Sequence, residues 1–228
     1  MTEKPAPHRR AVGLLGGTFD PIHHAHLIMA EEVRTTLGLA QMVFIPAGEP
    51  PHKMSRQVTS AYHRMAMVEL AIAANPHFTI SRVEVDRSGP SYLVDTLRLL
   101  HEQWGAESEL SFIIGWDSLG DLPSWYKPRE ILDQLAHLIA VRRPGYVDDM
   151  AYNDKSEARL PGLRDKLSVV PLPQLDISST DIRQRVAQGR PIKYQVPEAV
   201  EHYIRAHNLY QTAIGKEVRE SAHYNAER

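Results

Sequence analysis

The chain has 228 residues, 43% of them apolar, enough to bury the core of one α/β domain and too few for a large multidomain assembly. Its 26 basic and 28 acidic side chains leave a net charge of −2, so no global field draws it to nucleic acid or to a membrane surface, and any anion site must be local. There is no cysteine, which excludes disulfides, thiolate metal sites and cysteine catalysis.

The opening MTEKPAPHRR lacks an apolar signal core, and no later run is apolar enough to span a bilayer, so a soluble cytoplasmic protein is expected, with homo-oligomerisation left open. AVGLLG from residue 11 predicts a first strand, and LIMAEEVRTTLGL a helix with Leu27, Ala30, Val33 and Leu37 on one face. MVFIP at 42–46 predicts the second strand, followed by the loop AGEPPHKMSRQVTS and a helix over 61–74. FTI and RVEV suggest short strands, and YLVDTLRLLHEQW another helix. LSFIIG at 110–115 and HLIAVRR at 137–143 are apolar runs bounded by turn formers, as in strands buried on both faces. The polar segment 144–167 shows no clear period. SVVPLP predicts a last strand, SSTDIRQRVAQG a capped helix ending at Gly189, and PEAVEHYIRAHN a closing helix. This alternation predicts an α/β, Rossmann-like, doubly wound parallel sheet with a small C-terminal helical portion. The ligand crevice belongs at the carboxyl ends of the strands. A single domain over 10–212 is expected, with flexible tails at 1–9 and 213–228.

That architecture puts GGTFDPIHHAH, residues 16–26, where the first strand gives way to the first helix. Gly16 and Gly17 let the backbone approach a ligand, and the helix start offers N–H groups and a positive dipole end, which together make an anion site. His23 and His26, three apart, can both point at a bound phosphate. A zinc pair would use the same spacing, but the chain has no cysteine and no evident third and fourth ligand. The loop lacks the Gly-Lys-Ser/Thr ending of a Walker A sequence and the three spaced glycines of a dinucleotide fingerprint.

A second anion site is predicted in ISSTDIR at 177–183. Ser178 can cap a helix with Asp181 in capping-box position, leaving the N–H groups of Ser179 and Thr180 exposed, and Arg183 lies one turn past Ser179. Taken alone this is an ordinary capped helix. Paired with the first site, two helix N-termini from opposite ends of the chain would clamp a polyphosphate such as ATP.

These two motifs resemble the signatures of the nucleotidyltransferase superfamily: a glycine pair with Thr/Ser-Phe-Asp-Pro and His-x-Gly-His, then Ile-Ser-Ser-Thr-x-Ile-Arg. Within it the chain resembles the bacterial nicotinate-nucleotide adenylyltransferases through PPHK at 50–53, GPSYLVDTL at 89–97, IIGWDSLGDLPSWY at 113–126 and VRRPGY at 141–146. Two positions depart from the pattern: Ala25 stands for the glycine of His-x-Gly-His, and Leu93 where threonine is frequent beside the pyridine ring. The resemblance implies transfer of AMP from ATP to nicotinate mononucleotide, with Mg²⁺ bound mainly through the ATP phosphates and no protein metal site. It implies His23, His26 and Arg183 as electrostatic catalysts. The ATP site would comprise Gly16, Gly17, Thr18, Phe19, Gly115, Asp117, Ile177, Ser178, Ser179, Thr180 and Arg183. The mononucleotide site would comprise Asp20, His52, Lys53, Leu93, Trp125 and Tyr126, with Lys53 on the phosphate and Trp125 stacked on the ring. Arg142 and Arg143 are further phosphate candidates, His24 a solvent or packing residue, and Trp104 and Trp116 packing residues. For Asp20, which precedes Pro21, a turn role competes with a ligand role. A sister transferase with another phosphorylated acceptor and a non-catalytic nucleotide sensor are the alternatives.

Overall fold

A computed structural model describes residues 11–49, 58–105, 108–142 and 150–211. Six parallel strands form one sheet: β1 (Ala11–Gly17), β2 (Gln41–Pro46), β3 (Phe78–Ile80), β4 (Glu109–Gly115), β5 (His137–Arg142) and β6 (Leu167–Pro171). Their order is β3-β2-β1-β4-β5-β6, the doubly wound arrangement, with its switch point between β1 and β4. The connecting helices are α1 (His24–Leu37), α2 (Ala61–Ile72), α3 (Leu93–Trp104), α4 (Trp116–Leu119), α5 (Pro128–Gln134), α6 (Met150–Arg159) and α7 (Leu163–Lys166). The C-terminal portion is α8 (Ser179–Ala187) and α9 (Glu198–Ala206).

Both faces of the sheet are covered, which is why its strands read as apolar runs rather than alternating ones. The period of two still operates, sorting residues between two cores. Leu110, Phe112, Ile114, Leu138 and Ala140 pack with Leu97 and Leu100 of α3 and Ile131 of α5. Ile113, Ile139 and Val141 pack on the other face with Ala30 and Val33 of α1, Ile182 of α8 and Ile204 of α9. Gly13 fits this second layer because a Cβ there would lie 2.4 Å from Met42 Sδ.

The structure corrects the sequence expectations for RVEV, Leu37, Trp104 and the end of the SSTDIRQRVAQG helix. RVEV is no strand: Asp86 N–H bonds back to the Arg82 carbonyl, closing a turn that sinks Glu84 into the protein. Leu37 lies beyond the buried stripe of α1 at 38% exposure, where the helix has wound past its core. Trp104, in the last turn of α3, is 40% exposed rather than packed inside, whereas Trp116 is buried. Within 144–167 the structure forms α6 and α7, whose short, polar sequences carry little apolar period. Helix α8 runs from Ser179 to Ala187, ending before Gly189, which has a φ of 69°. The expected tails lie outside the described residues.

Candidate active site

Two cavities flank the β1–β4 pair at the carboxyl ends of the strands. One, of about 300 Å³, is lined by His23, His26, Gly115, Asp117, Ile177, Ser178 and Ser179, with Trp116, Val141 and Leu172. It thus brings together the starts of α1, α4 and α8. The other, of about 740 Å³, is lined by Gly16, Gly17, Leu93, Trp125 and Tyr126, with Ala47, Glu84, Ser91, Tyr92, Phe112 and Lys127.

The imidazole pair is set by the start of α1. His23 is the N-cap residue with extended backbone, and its N–H donates to His26 Nδ1 at 3.3 Å. A neutral His26 ring then carries its proton on Nε2 as a donor. The rings stack at 3.7 Å with 22° between planes. Burial, with His24 nearby, lowers His23 from 6.5 to about 4. Burial, then the charge His23 would carry, holds His26 well below its ordinary value. At neutral pH both rings are therefore uncharged, and toward an anion they could act only as neutral donors, not as paired cations.

Phe19 explains the second glycine. It adopts φ 50° and tucks its ring beneath the loop, so that a Cβ on Gly17 would lie 2.9 Å from the ring. The ring meets His26 edge-on at 5.1 Å and packs on Phe44. Its side chain, 2% exposed, therefore supports His26 from the core and lies in neither cavity wall.

At the other helix start, Ser178 Oγ accepts from the Asp181 N–H at 3.1 Å, as a cap should. The Asp181 carboxylate does not complete a capping box; it turns to Arg185 Nε at 2.6 Å. The Ser179 hydroxyl donates to the Pro21 carbonyl, and Arg183 Nη1 donates to the Asp20 carbonyl at 2.7 Å, while Nη2 reaches Thr180 Oγ1 at 3.4 Å. The two predicted anion sites are thus bonded to each other across 158 and 163 residues of sequence. Arg183 and Thr180 are not among the residues that line the cavity.

Asp20 occupies a different place from the one expected of a mononucleotide ligand. It is 5% exposed, and its two carboxylate oxygens accept from the Thr59 N–H at 3.2 Å and the Tyr210 hydroxyl at 2.7 Å. It is an anchor under the loop. Thr18 contributes its carbonyl to Arg64. His52, Lys53 and Arg143 lie outside the described residues. Arg142 lies with its guanidinium carbon 5.8 Å from the Trp116 ring centroid, and His24 donates its N–H to the Gln195 carbonyl.

In the larger cavity Trp125 meets Phe112 edge-on at 6.4 Å, and Tyr126 lies 4.6 Å from Tyr92, leaving an aromatic wall beside the first turn of α3. That helix begins at Leu93 with no side-chain cap. Sequence reasoning missed Glu84, Ser91, Phe112 and Arg64. Glu84 accepts from Thr96 Oγ1 at 2.7 Å, and burial raises its pKa. Arg64 had a legible signal: it stands four residues before Val68 and eight before Ile72, a charge on the buried stripe of α2.

The model of the cytidylyltransferase-like family matches residues 14–185. A protein of Thermomicrobium roseum is 50% identical over 201 residues, covering 88% of this chain and 92% of its own. One of Roseiflexus castenholzii is 52% identical, covering 87% and 97%. Both are named "probable nicotinate-nucleotide adenylyltransferase". The fold is similar to that of the Plasmodium falciparum nicotinic acid mononucleotide adenylyltransferase solved in complex with NaAD. The TM-score is 0.71 at 20% identity, over 89% of this chain and 98% of that one. Sequence and fold agree: the chain belongs to the cytidylyltransferase-like family and, within it, to the nicotinate-nucleotide adenylyltransferases.

Proposed function

We propose that the protein transfers AMP from ATP to nicotinate mononucleotide, giving nicotinate adenine dinucleotide and pyrophosphate, as a cytoplasmic step of NAD synthesis. The observation that carries this reading is the pair of cavities on either side of the β1–β4 switch point, one built from imidazoles and helix starts, the other walled by aromatic rings. ATP occupies the first and the mononucleotide the second.

The mononucleotide phosphate attacks the α-phosphorus in line; the new P–O bond forms as the bond to the β-phosphate oxygen breaks and pyrophosphate leaves. No covalent enzyme intermediate is needed, so positioning and charge stabilisation suffice. His26, with its Nδ1 occupied, offers Nε2–H to the transferring phosphate, and His23 lies stacked against it. The N–H groups at the start of α8 hold the leaving phosphates, and Arg183 fixes that helix to the Asp20 carbonyl. Lys53 and His52 grip the mononucleotide phosphate.

Mg²⁺ enters with ATP. Among the described residues no group of three or more His, Cys, Asp or Glu side chains could hold a metal ion, and Asp117, which lines the smaller cavity, is the carboxylate that would help hold an ion carried on phosphate oxygens. When bound, the ion neutralises polyphosphate charge. Among the described residues no helix is long and apolar enough to cross a membrane.

The pyridine ring stacks on Trp125, and its carboxylate meets the uncapped start of α3 at Leu93. A coupled pyrophosphate assay with ATP tests this against nicotinate mononucleotide, nicotinamide mononucleotide, phosphopantetheine and a cytidylyl-type phosphate acceptor. The highest kcat/KM belongs to nicotinate mononucleotide; release of pyrophosphate with phosphopantetheine alone would replace the reading with a sister transferase, and none with any acceptor would leave a nucleotide sensor.

A further inference from the structure

The middle of the molecule holds a buried charge to which the reaction above gives no role. Arg64 of α2 is 2% exposed and directs its guanidinium at three backbone carbonyls from three separate segments. Nε donates to Thr59 O at 2.9 Å, Nη1 to Thr18 O at 2.9 Å, and Nη2 to Gly48 O at 3.4 Å. Thr18 lies in the glycine loop that leads to the imidazole pair. Gly48 and Thr59 stand at the two ends of the loop that carries His52 and Lys53. One planar side chain thus touches the loop of the transferring phosphate and both stems of the mononucleotide-phosphate loop.

The surroundings suit that use. Asp20 and Glu84 offset the charge from nearby, and Asp20 adds a second tie between the same segments through the Thr59 N–H at 3.2 Å. A Cβ on Gly48 would lie 2.2 Å from the Glu84 carbonyl, so this stem is pressed against neighbouring backbone. Keeping a cation inside a protein is costly without full pairing. An apolar residue would fill α2 equally well, as Met65, Met67 and Val68 do beside it. Only arginine presents three differently directed N–H groups in one rigid plane.

We infer that Arg64 is a positioning residue that sets the phosphate loop of Gly16–Thr18 against the two stems of the mononucleotide-phosphate loop, so that nucleophile and α-phosphorus meet in line. The inference rests on the adenylyl-transfer reading for its kinetic consequence but not for its structural one. Binding alone tolerates a loosened loop, whereas in-line attack does not, because a displacement of about 1 Å can cost on the order of 100-fold in rate.

The test is Arg64→Lys, which keeps the charge between Asp20 and Glu84 but cannot span three carbonyls, with Arg64→Met beside it. Hydrogen exchange is followed in peptides covering 16–22, 47–49 and 58–60, and in strands β2 and β4. For Arg64→Lys, exchange is expected to speed up at least tenfold in the three segments and to stay unchanged in the strands. The kcat should fall 10- to 100-fold while both KM values move less than threefold, with Arg64→Met lower still. If Arg64→Lys matches the wild type in exchange and in kcat, the positioning role is wrong. If exchange rises equally in the strands and kcat falls with the folded fraction, Arg64 only holds the domain together, which also overturns it. Should the wild type release no pyrophosphate with nicotinate mononucleotide, the adenylyl-transfer reading fails, and the exchange comparison still decides whether Arg64 couples the segments.

Discussion

The lowered pKa of His23 ties acid stability to the imidazole pair. Above pH 6.5 neither the folded nor the unfolded chain protonates this ring. Between 6.5 and about 4 the unfolded chain takes up the proton while burial denies it to the folded one, so stability falls as pH falls; below about 4 both states bind it and the loss stops. The gap between 6.5 and about 4 corresponds to about 3 kcal/mol in full, of which about 2 kcal/mol is spent by pH 5. Replacing His23 by Gln removes the titration while keeping a planar polar group at the N-cap. Urea unfolding at pH 7 and pH 5 measures the difference, provided the m-values agree. The wild type should lose about 2 kcal/mol more than His23→Gln between these pH values. The residual loss in the variant includes His26, whose shift has the same sign. Equal losses in the two proteins would refute the assignment of His23 as a neutral, desolvated ring, and with it the account of the pair as uncharged donors.

Three further outcomes follow from the site. His26→Ala should lower kcat by about 10² to 10³, the value of one strong oxyanion donor, with a smaller change in the KM for ATP; near-normal turnover would remove His26 from the chemistry. Arg183→Ala should raise the KM for ATP by unfastening the start of α8 from the Asp20 carbonyl. Lysine at 183 should rescue only in part because it lacks the fork that also reaches Thr180; unchanged ATP kinetics in both would make this contact structural. Trp125→Ala should damage use of the nicotinate and nicotinamide mononucleotides alike, whereas Leu93→Thr should raise the preference for the acid by adding a donor at the first residue of α3; steady-state kinetics with both substrates at saturating ATP reads the two effects, and a changed ratio in Trp125→Ala would refute simple stacking.

The doubly wound sheet was legible because its causes are local. Most strands are short apolar runs closed by glycine, proline or charge, and the longer helices show their own period, so LSFIIG and HLIAVRR declare buried strands without reference to anything distant. What escaped was set by context. RVEV has the composition of a strand, but the backbone turns there to carry Glu84 to Thr96 on α3. Leu37 continues a helical period past the point where the core ends. Periodicity marks which face is apolar; it does not say how far the neighbouring layer extends.

The site divides along the same line. Helix starts and glycine pairs announce themselves within a few residues, so GGTFDPIHHAH and ISSTDIR could be read as two candidate anion sites, and the structure brings His26, Ser178 and Ser179 around one cavity. The inner charges could not be sorted in this way. For Asp20 a turn role and a ligand role stood open, and the structure shows its carboxylate buried against the Thr59 N–H and the hydroxyl of Tyr210, a partner 190 residues away that local sequence cannot report. Arg64, inside the helix expected over 61–74, joins three segments through backbone carbonyls, acceptors that no side-chain pattern reports. A carboxylate that binds substrate and one that fastens a loop are the same letter in sequence; burial and the identity of the hydrogen-bond donor separate them. On the proposed reading the polar groups that line the smaller cavity, His23, His26, Ser178 and Ser179, face the phosphates, whereas Asp20 and Arg64 line neither cavity and tie backbone segments together. Substitutions in the two sets should therefore differ in kind: loss of a cavity-lining donor removes transition-state stabilisation at constant geometry, whereas loss of a buried tie leaves the donors present but displaced.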